Sequence, residues 1–196
     1  MADASGILPC QAIEDLVASG AVSAATPVAA GQVQPASLDL RLGARCWRVR
    51  ASFLPGLGRS VAERLKAVAM HQLDLEGGEV LERGCVYIAE LQERLALPPG
   101  VSARANPKSS TGRLDIFVRL LTDGAPVFDD VAAGYRGPLY VEIAPQTFSV
   151  LARAEAPAPR RSRAGRAPPR GRGRSPRRGG GRGSRPGARS GPPRRW

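Results

Sequence analysis

The run Asn106-Pro107-Lys108-Ser109-Ser110-Thr111-Gly112-Arg113 gathers hydroxyls, backbone donors and two cations into one short loop. A phosphorylated ligand needs those groups. Pro107 holds Asn106 extended, so the chain turns before Lys108, and a short helix capped by Ser109 or Ser110 can follow. Free N–H groups at such a start, with Lys108 and Arg113 beside them, attract anionic oxygens. A serine-rich turn that only caps a helix is the competing structural reading. A second feature lies downstream, after the turn Gly134-Tyr135-Arg136-Gly137. Alternation there puts Leu139, Val141 and Ile143 on one strand face and Tyr140 and Glu142 on the other. Glu142 then points away from the main core, toward a cleft or a subunit interface. Its plain alternative is a solvated strand carboxylate, since Glu is seldom buried unpaired.

Other titratable groups carry less. His71 is the sole histidine and the three cysteines, Cys10, Cys46 and Cys85, are widely spaced with no C-x-x-C, which closes the route of a zinc-activated water. His71 reads as the end of a helix. Asp39 and Arg41 lie opposite Leu38, Leu40 and Leu42 in an alternating run and read as a packing or interface ion pair. Asp129 and Asp130 are adjacent, so on a strand they would face opposite ways, and a loop reading is preferred.

The elements that must position these groups are mostly strands. An amphipathic helix is expected over residues 7–17, with Gly20 as its stop, and a second over 60–72, with Ser60 as its cap. Strands are expected over 38–42, ending at Gly43, and over 80–81, 85–91, 116–121 and 139–143, separated by Gly or Pro turns. Many short strands with few helices favour a β barrel or sandwich.

Composition divides the chain. Residues 1–150 hold 14 Lys and Arg against 16 Asp and Glu, whereas residues 151–196 hold 15 Arg, no Lys and Glu155 as the one acid. The net charge of +12 is therefore a property of the tail alone. In the tail only Leu151, Glu155 and Trp196 are not Arg, Gly, Pro, Ala or Ser, so disorder is expected. It reads either as an RNA-binding arginine-glycine segment, lacking the aromatics that stack bases, or as the product of a frame change near residues 151–156 in G+C-rich coding sequence. Residues 1–150 suit one domain. The start lacks a secretory pattern, no apolar run is long enough to span a bilayer, and an odd set of spaced cysteines suits reduced thiols in the cytoplasm.

Three stretches in order carry a resemblance: Gln34-Pro35-Ala36-Ser37-Leu38-Asp39-Leu40-Arg41-Leu42-Gly43, the octapeptide at 106–113, and Gly134-Tyr135-Arg136-Gly137-Pro138-Leu139-Tyr140-Val141-Glu142. Together they resemble the signatures of the dCTP deaminase family, related to trimeric dUTPases, in its longer bacterial form. The resemblance implies a mainly β chain: a dUTPase-like distorted barrel with one or two short helices, assembled as a homotrimer with nucleotide sites between subunits. It implies zinc-independent hydrolysis of dCTP to dUTP and ammonia, in the supply of pyrimidine deoxynucleotides. Glu142 would relay protons, Ser109 and Arg113 would hold the water and the nucleotide, and Lys108 and Ser110 would meet the phosphates, with Mg²⁺ arriving on the triphosphate. Two departures stand out. Asp130 falls where the compact bacterial forms carry an arginine, and nothing after residue 151 matches the family's C-terminal strand, covering tail or second half. The alternatives are a trimeric dUTPase cleaving the α–β phosphate bond and an RNA-binding protein working through its tail.

Overall fold

A computed structural model describes residues 6–29 and 31–154. Helix α1 (Cys10–Ala18) buries Ile13 and ends at Ser19 and Gly20, three residues later at its start than the sequence suggests. Helix α2 (Val61–Val68) opens on a reciprocal cap. Ser60 Oγ accepts from the Glu63 N–H at 3.1 Å, and Glu63 Oε2 accepts from the Ser60 N–H at 3.0 Å, satisfying two donors that a helix start leaves unpaired. The expected continuation to residue 72 does not occur. Ala69 turns extended and the chain enters an edge strand, so His71 sits exposed on that strand rather than at a helix end. Helix α3 (Ser109–Arg113), the short helix that the turn after Pro107 allows, spans a single turn.

Twelve strands complete the described chain: β1 (Val22–Ala24), β2 (Val33–Gln34), β3 (Ser37–Leu38), β4 (Leu42–Val49), β5 (Ala69–Asp74), β6 (Glu79–Leu81), β7 (Val86–Ala96), β8 (Ala103–Arg104), β9 (Ile116–Thr122), β10 (Asp130–Val131), β11 (Arg136–Pro145) and β12 (Val150–Ala152). The principal sheet runs β5-β4-β7-β11-β9, with β1 also on β7, and every pairing in it is antiparallel. The strand expected over 38–42 is displaced. β4 begins at Leu42 and passes through Gly43, where a Cβ would lie 2.8 Å from the Glu90 carbonyl oxygen. Only glycine lets β7 approach that closely.

Both faces of this sheet are covered. On one, Leu139, Val141 and Ile143 of β11 join Cys46, Tyr87, Ala89, Leu91 and Leu120, together with Leu81 from the β12-β6 ribbon and Val131 from the β10-β8 ribbon. Strands thus surround this larger cluster, the mainly β distorted barrel that the sequence leads one to expect. On the other face, Tyr140, Ile88, Leu121, Val49 and Phe53 meet Val61 and Leu65 of α2, each buried side chain of this size contributing about 1.5–3 kcal/mol.

The ordered fold continues past residue 150. β12 pairs with β6, and the Ala154 N–H donates to the Leu75 carbonyl at 2.9 Å, so residues 151–154 belong to the β domain and not to the tail. The remainder of the arginine-rich segment, with the disorder and frame change expected of it, lies outside the described residues.

Candidate active site

Glu142 stands in the middle of β11, opposite Ile88 of β7 and Arg119 of β9. The expected alternation holds: it shares a face with Tyr140, away from the larger cluster. That face is not open, however, and Glu142 is 1% exposed, which removes the reading of a solvated carboxylate. Its partner is Arg119, whose Nε and Nη2 both donate to Glu142 Oε1, at 3.1 and 2.6 Å. Glu142 Oε2 is buried and has no partner among the described residues. A buried carboxylate oxygen without a donor costs free energy that a bound water or ligand N–H would recover.

Arg119 is itself tightly placed. Its guanidinium carbon lies 3.8 Å from the Phe128 ring centroid and 4.8 Å from that of Phe117, and Nη2 also donates to Ser52 Oγ at 2.8 Å. Aromatic faces on a cation and a bonded fork leave the guanidinium few alternative positions. The sequence reading passed over Arg119 as one residue of an apolar strand. The available signal was a lone arginine in the run Ile116-Phe117-Val118-Arg119-Leu120-Leu121, which as a buried-strand pattern demands a charge partner.

The octapeptide forms a separate corner. Lys108 occupies the N-cap position of α3 with no side-chain cap bond, so Ser109 and Ser110 do not cap the helix as expected. Both lie in its first turn with exposed side chains, and Arg113 in its last turn is exposed as well. Hydroxyls and a guanidinium left at the surface can meet a ligand. Lys108 reaches across to the first sequence motif, its Nζ 2.7 Å from Asp39 Oδ2. Among the described residues no hydrogen bond or ion pair joins this corner to Glu142. Pro145 is the residue of β11 that faces Ile116 at the start of β9, so α3 begins beyond a point three residues, or roughly 10 Å, from Glu142 along the sheet.

Asp39 and Arg41 do not pair with each other. Arg41 is buried and donates from Nε to Glu93 Oε1 at 2.7 Å and from its backbone N–H to Oε2 at 2.9 Å, while Gln32 Nε2 donates to Oε1 at 2.8 Å. Arg41 Nη1 and Nη2 reach the carbonyls of Pro27 and Thr26. This packing ion pair fixes the segment that carries Asp39, because Gln32 Nε2 also donates to the Asp39 carbonyl at 2.7 Å. Asp129 has φ 63° and its carboxylate accepts from the Leu120 N–H at 2.7 Å, a turn role. Asp130 is an exposed ribbon residue opposite Arg104.

Two phenols, on β11 and in the turn before it, hold their protons more tightly than a free tyrosine. Burial, more than any charge, raises the Tyr140 hydroxyl and pushes Tyr135 up to about 12, the N–H of Asp123 opposing the shift at Tyr135. Among the described residues no three His, Cys, Asp or Glu side chains gather where a metal could sit. An open cleft of about 290 Å³ between α2 and the sheet, lined by Arg45, Trp47, Ala62, Leu65, Lys66, Ala69 and Tyr140, contains none of the sequence candidates. Nor is any helix among the described residues long and apolar enough to cross a membrane.

Comparison with known proteins gives a consistent set of matches. The family model described as the 2'-deoxycytidine 5'-triphosphate deaminase (DCD) N-terminal domain matches residues 4–158. A dCTP deaminase of Halorubrum lacusprofundi is 33% identical over 113 residues, 57% of this chain and 53% of that protein. A dUMP-forming dCTP deaminase of Coprothermobacter proteolyticus is 32% identical over 92 residues, 47% of this chain and 49% of its own length. The crystal structure of 2'-deoxycytidine 5'-triphosphate deaminase from Agrobacterium tumefaciens superposes with a TM-score of 0.74 at 55% identity, over 76% of this chain and 44% of that one. The chain thus spans about half the length of the relatives it matches.

Proposed function

The chain belongs to the 2'-deoxycytidine 5'-triphosphate deaminase N-terminal-domain family, and from that premise we propose that it hydrolyses dCTP to dUTP and ammonia, with Glu142 as proton shuttle. One observation carries the reading: a buried carboxylate whose Oε1 is held by a guanidinium and whose Oε2 lacks a donor among the described residues. In the reaction Oε2 takes a proton from the water that attacks C4 of the ring and passes it to N3. The second water proton then goes to the exocyclic amine, which leaves as ammonia. A carboxylate cycling in this way contributes about 10²- to 10⁴-fold by general acid–base catalysis.

Ser109 and Arg113 would orient the water and nucleotide, while Lys108 and Ser110 would bind phosphate oxygens. Mg²⁺ would come with the triphosphate, ligated by phosphate oxygens and water. Because these side chains lie along the sheet from Glu142 within one chain, the reading includes a homotrimer in which a neighbouring copy completes the site, working in the cytoplasm. Glu142→Gln, which keeps shape and removes the proton carrier, tests the assignment: ammonia release from dCTP should fall by at least about a hundredfold. Release equal to that of the parent excludes it. The dUMP-forming relative supports one second reading, since dCTP can become dUMP only by losing both ammonia and diphosphate. Diphosphate appearing with ammonia would select it.

A further inference from the structure

We infer that Arg119 is a positioning residue for the deamination, fixing Glu142 so that Oε2 and not Oε1 is the oxygen that exchanges protons. The inference rests on the deaminase reading above and goes beyond it by naming the group that orients the proton carrier. The two guanidinium N–H donors both go to Oε1, which leaves that oxygen committed. Oε2, on a residue 1% exposed and without a donor among the described residues, is the free end. A carboxylate that could rotate about its terminal bond would present either oxygen in an undefined direction. The Arg119 fork opposes this because it is itself held, in contact with the Phe117 and Phe128 rings and tied to Ser52 Oγ. Arg119 is partly exposed, at 26%, while the Glu142 side chain it pairs with is at 2%. Among the described residues no hydrogen bond or ion pair joins Ser109 or Arg113 to Glu142, and Arg119 is the cation that holds it.

The test measures ammonia release from Mg²⁺-dCTP by the full-length parent, Arg119→Ala, Arg119→Lys and Glu142→Gln. Misorienting a reacting group by about 1 Å costs about 10²-fold, so Arg119→Ala should lose about that factor in kcat while KM stays within about threefold, the mark of an interaction used in the chemical step. Removing the side chain leaves a slot lined by Phe117, Phe128 and Glu142. Millimolar guanidinium chloride should therefore restore kcat saturably in Arg119→Ala, whereas equal tetramethylammonium chloride should not. Arg119→Lys keeps the charge and packing but not the fork and should lose about tenfold in kcat, and it carries the test if the alanine variant fails to fold. An Arg119→Ala or Arg119→Lys protein with parental kcat, alongside an inactive Glu142→Gln, overturns this inference and leaves the deaminase reading standing. So does an Arg119→Ala defect that guanidinium does not relieve. A Glu142→Gln protein as active as the parent, or a parent that releases no ammonia, overturns the deaminase reading and this inference with it.

Discussion

Replacing Glu93, buried in β7, by alanine should destabilise the domain strongly. Glu93 is fully buried and its two oxygens receive three N–H groups, from Gln32 Nε2, Arg41 Nε and the Arg41 backbone. The alanine variant strands a guanidinium that is 6% exposed. Arg41 cannot simply swing into water, because Nη1 and Nη2 remain bonded to the Pro27 and Thr26 carbonyls. Removing one partner of a buried pair costs about 3–5 kcal/mol, a large share of the 5–15 kcal/mol that holds a typical domain together. At about 2–4 °C per kcal/mol for a chain of this size, Tm should fall by about 6–20 °C. The partner control is Arg41→Met with Glu93→Ala. It removes the orphaned charge, so the double variant should be more stable than Glu93→Ala alone, in a double-mutant cycle read by urea unfolding with far-UV circular dichroism. A Glu93→Ala protein within about 1 kcal/mol of the parent, or a double variant losing the sum of the two single losses, would refute the reasoning.

Three further outcomes are expected. Burial pushes the Cys46 thiol up to about 12, so Ellman's reagent at pH 8 should titrate the partly exposed Cys10 and Cys85 and reach Cys46 only after denaturation. Tyr135, at about 12 in the fold against about 10 unfolded, should contribute stability that is complete below pH 10 and lost as pH rises through the interval to 12. Tyr135→Phe should make the alkaline decline of Tm shallower, the raised Cys46 thiol and the raised hydroxyls of Tyr87 and Tyr140 contributing to what remains. Lys108→Ala removes a bridge whose lysine is 63% exposed, so stability should change by less than about 1 kcal/mol, while loss of a charge-assisted contact should raise KM for dCTP about tenfold.

What the sequence disclosed and withheld follows from the range of each interaction. Ser60 and Glu63 are three residues apart, so the start of α2 was readable locally. Its end was not: Val61, Leu65 and Val68 keep a helical period that nothing in residues 69–72 contradicts, and the pairing of Trp47 with Gln72 and Arg48 with His71 that makes β5 is a contact across more than twenty residues. Period-two alternation placed Glu142 on the correct face of β11. What lay over that face could not be read, because the register of β9 against β11 decides that Arg119 and not Val118 or Leu120 stands opposite. The same limit hid Glu93, which answers Arg41 from across the sheet. Lys108 and Ser109 were legible as an anion-seeking turn, whereas the commitment of Lys108 to Asp39 depends on folding that brings residues 39 and 108 together.

The Arg119–Glu142 contact has a further consequence for how the chain avoids misassembly. Strand β11 is greasy on both sides, with Leu139, Val141 and Ile143 in one cluster and Tyr140 in the other. Hydrophobic pattern alone therefore discriminates poorly between the native alignment of β9 and one slipped by a residue. A slip would seat Arg119 among aliphatic side chains and set Glu142 against Val118 or Leu120, two uncompensated charges in place of a pair, at a penalty of several kcal/mol. The two charges thus proofread the zippering of a sheet whose other side chains would accept the error.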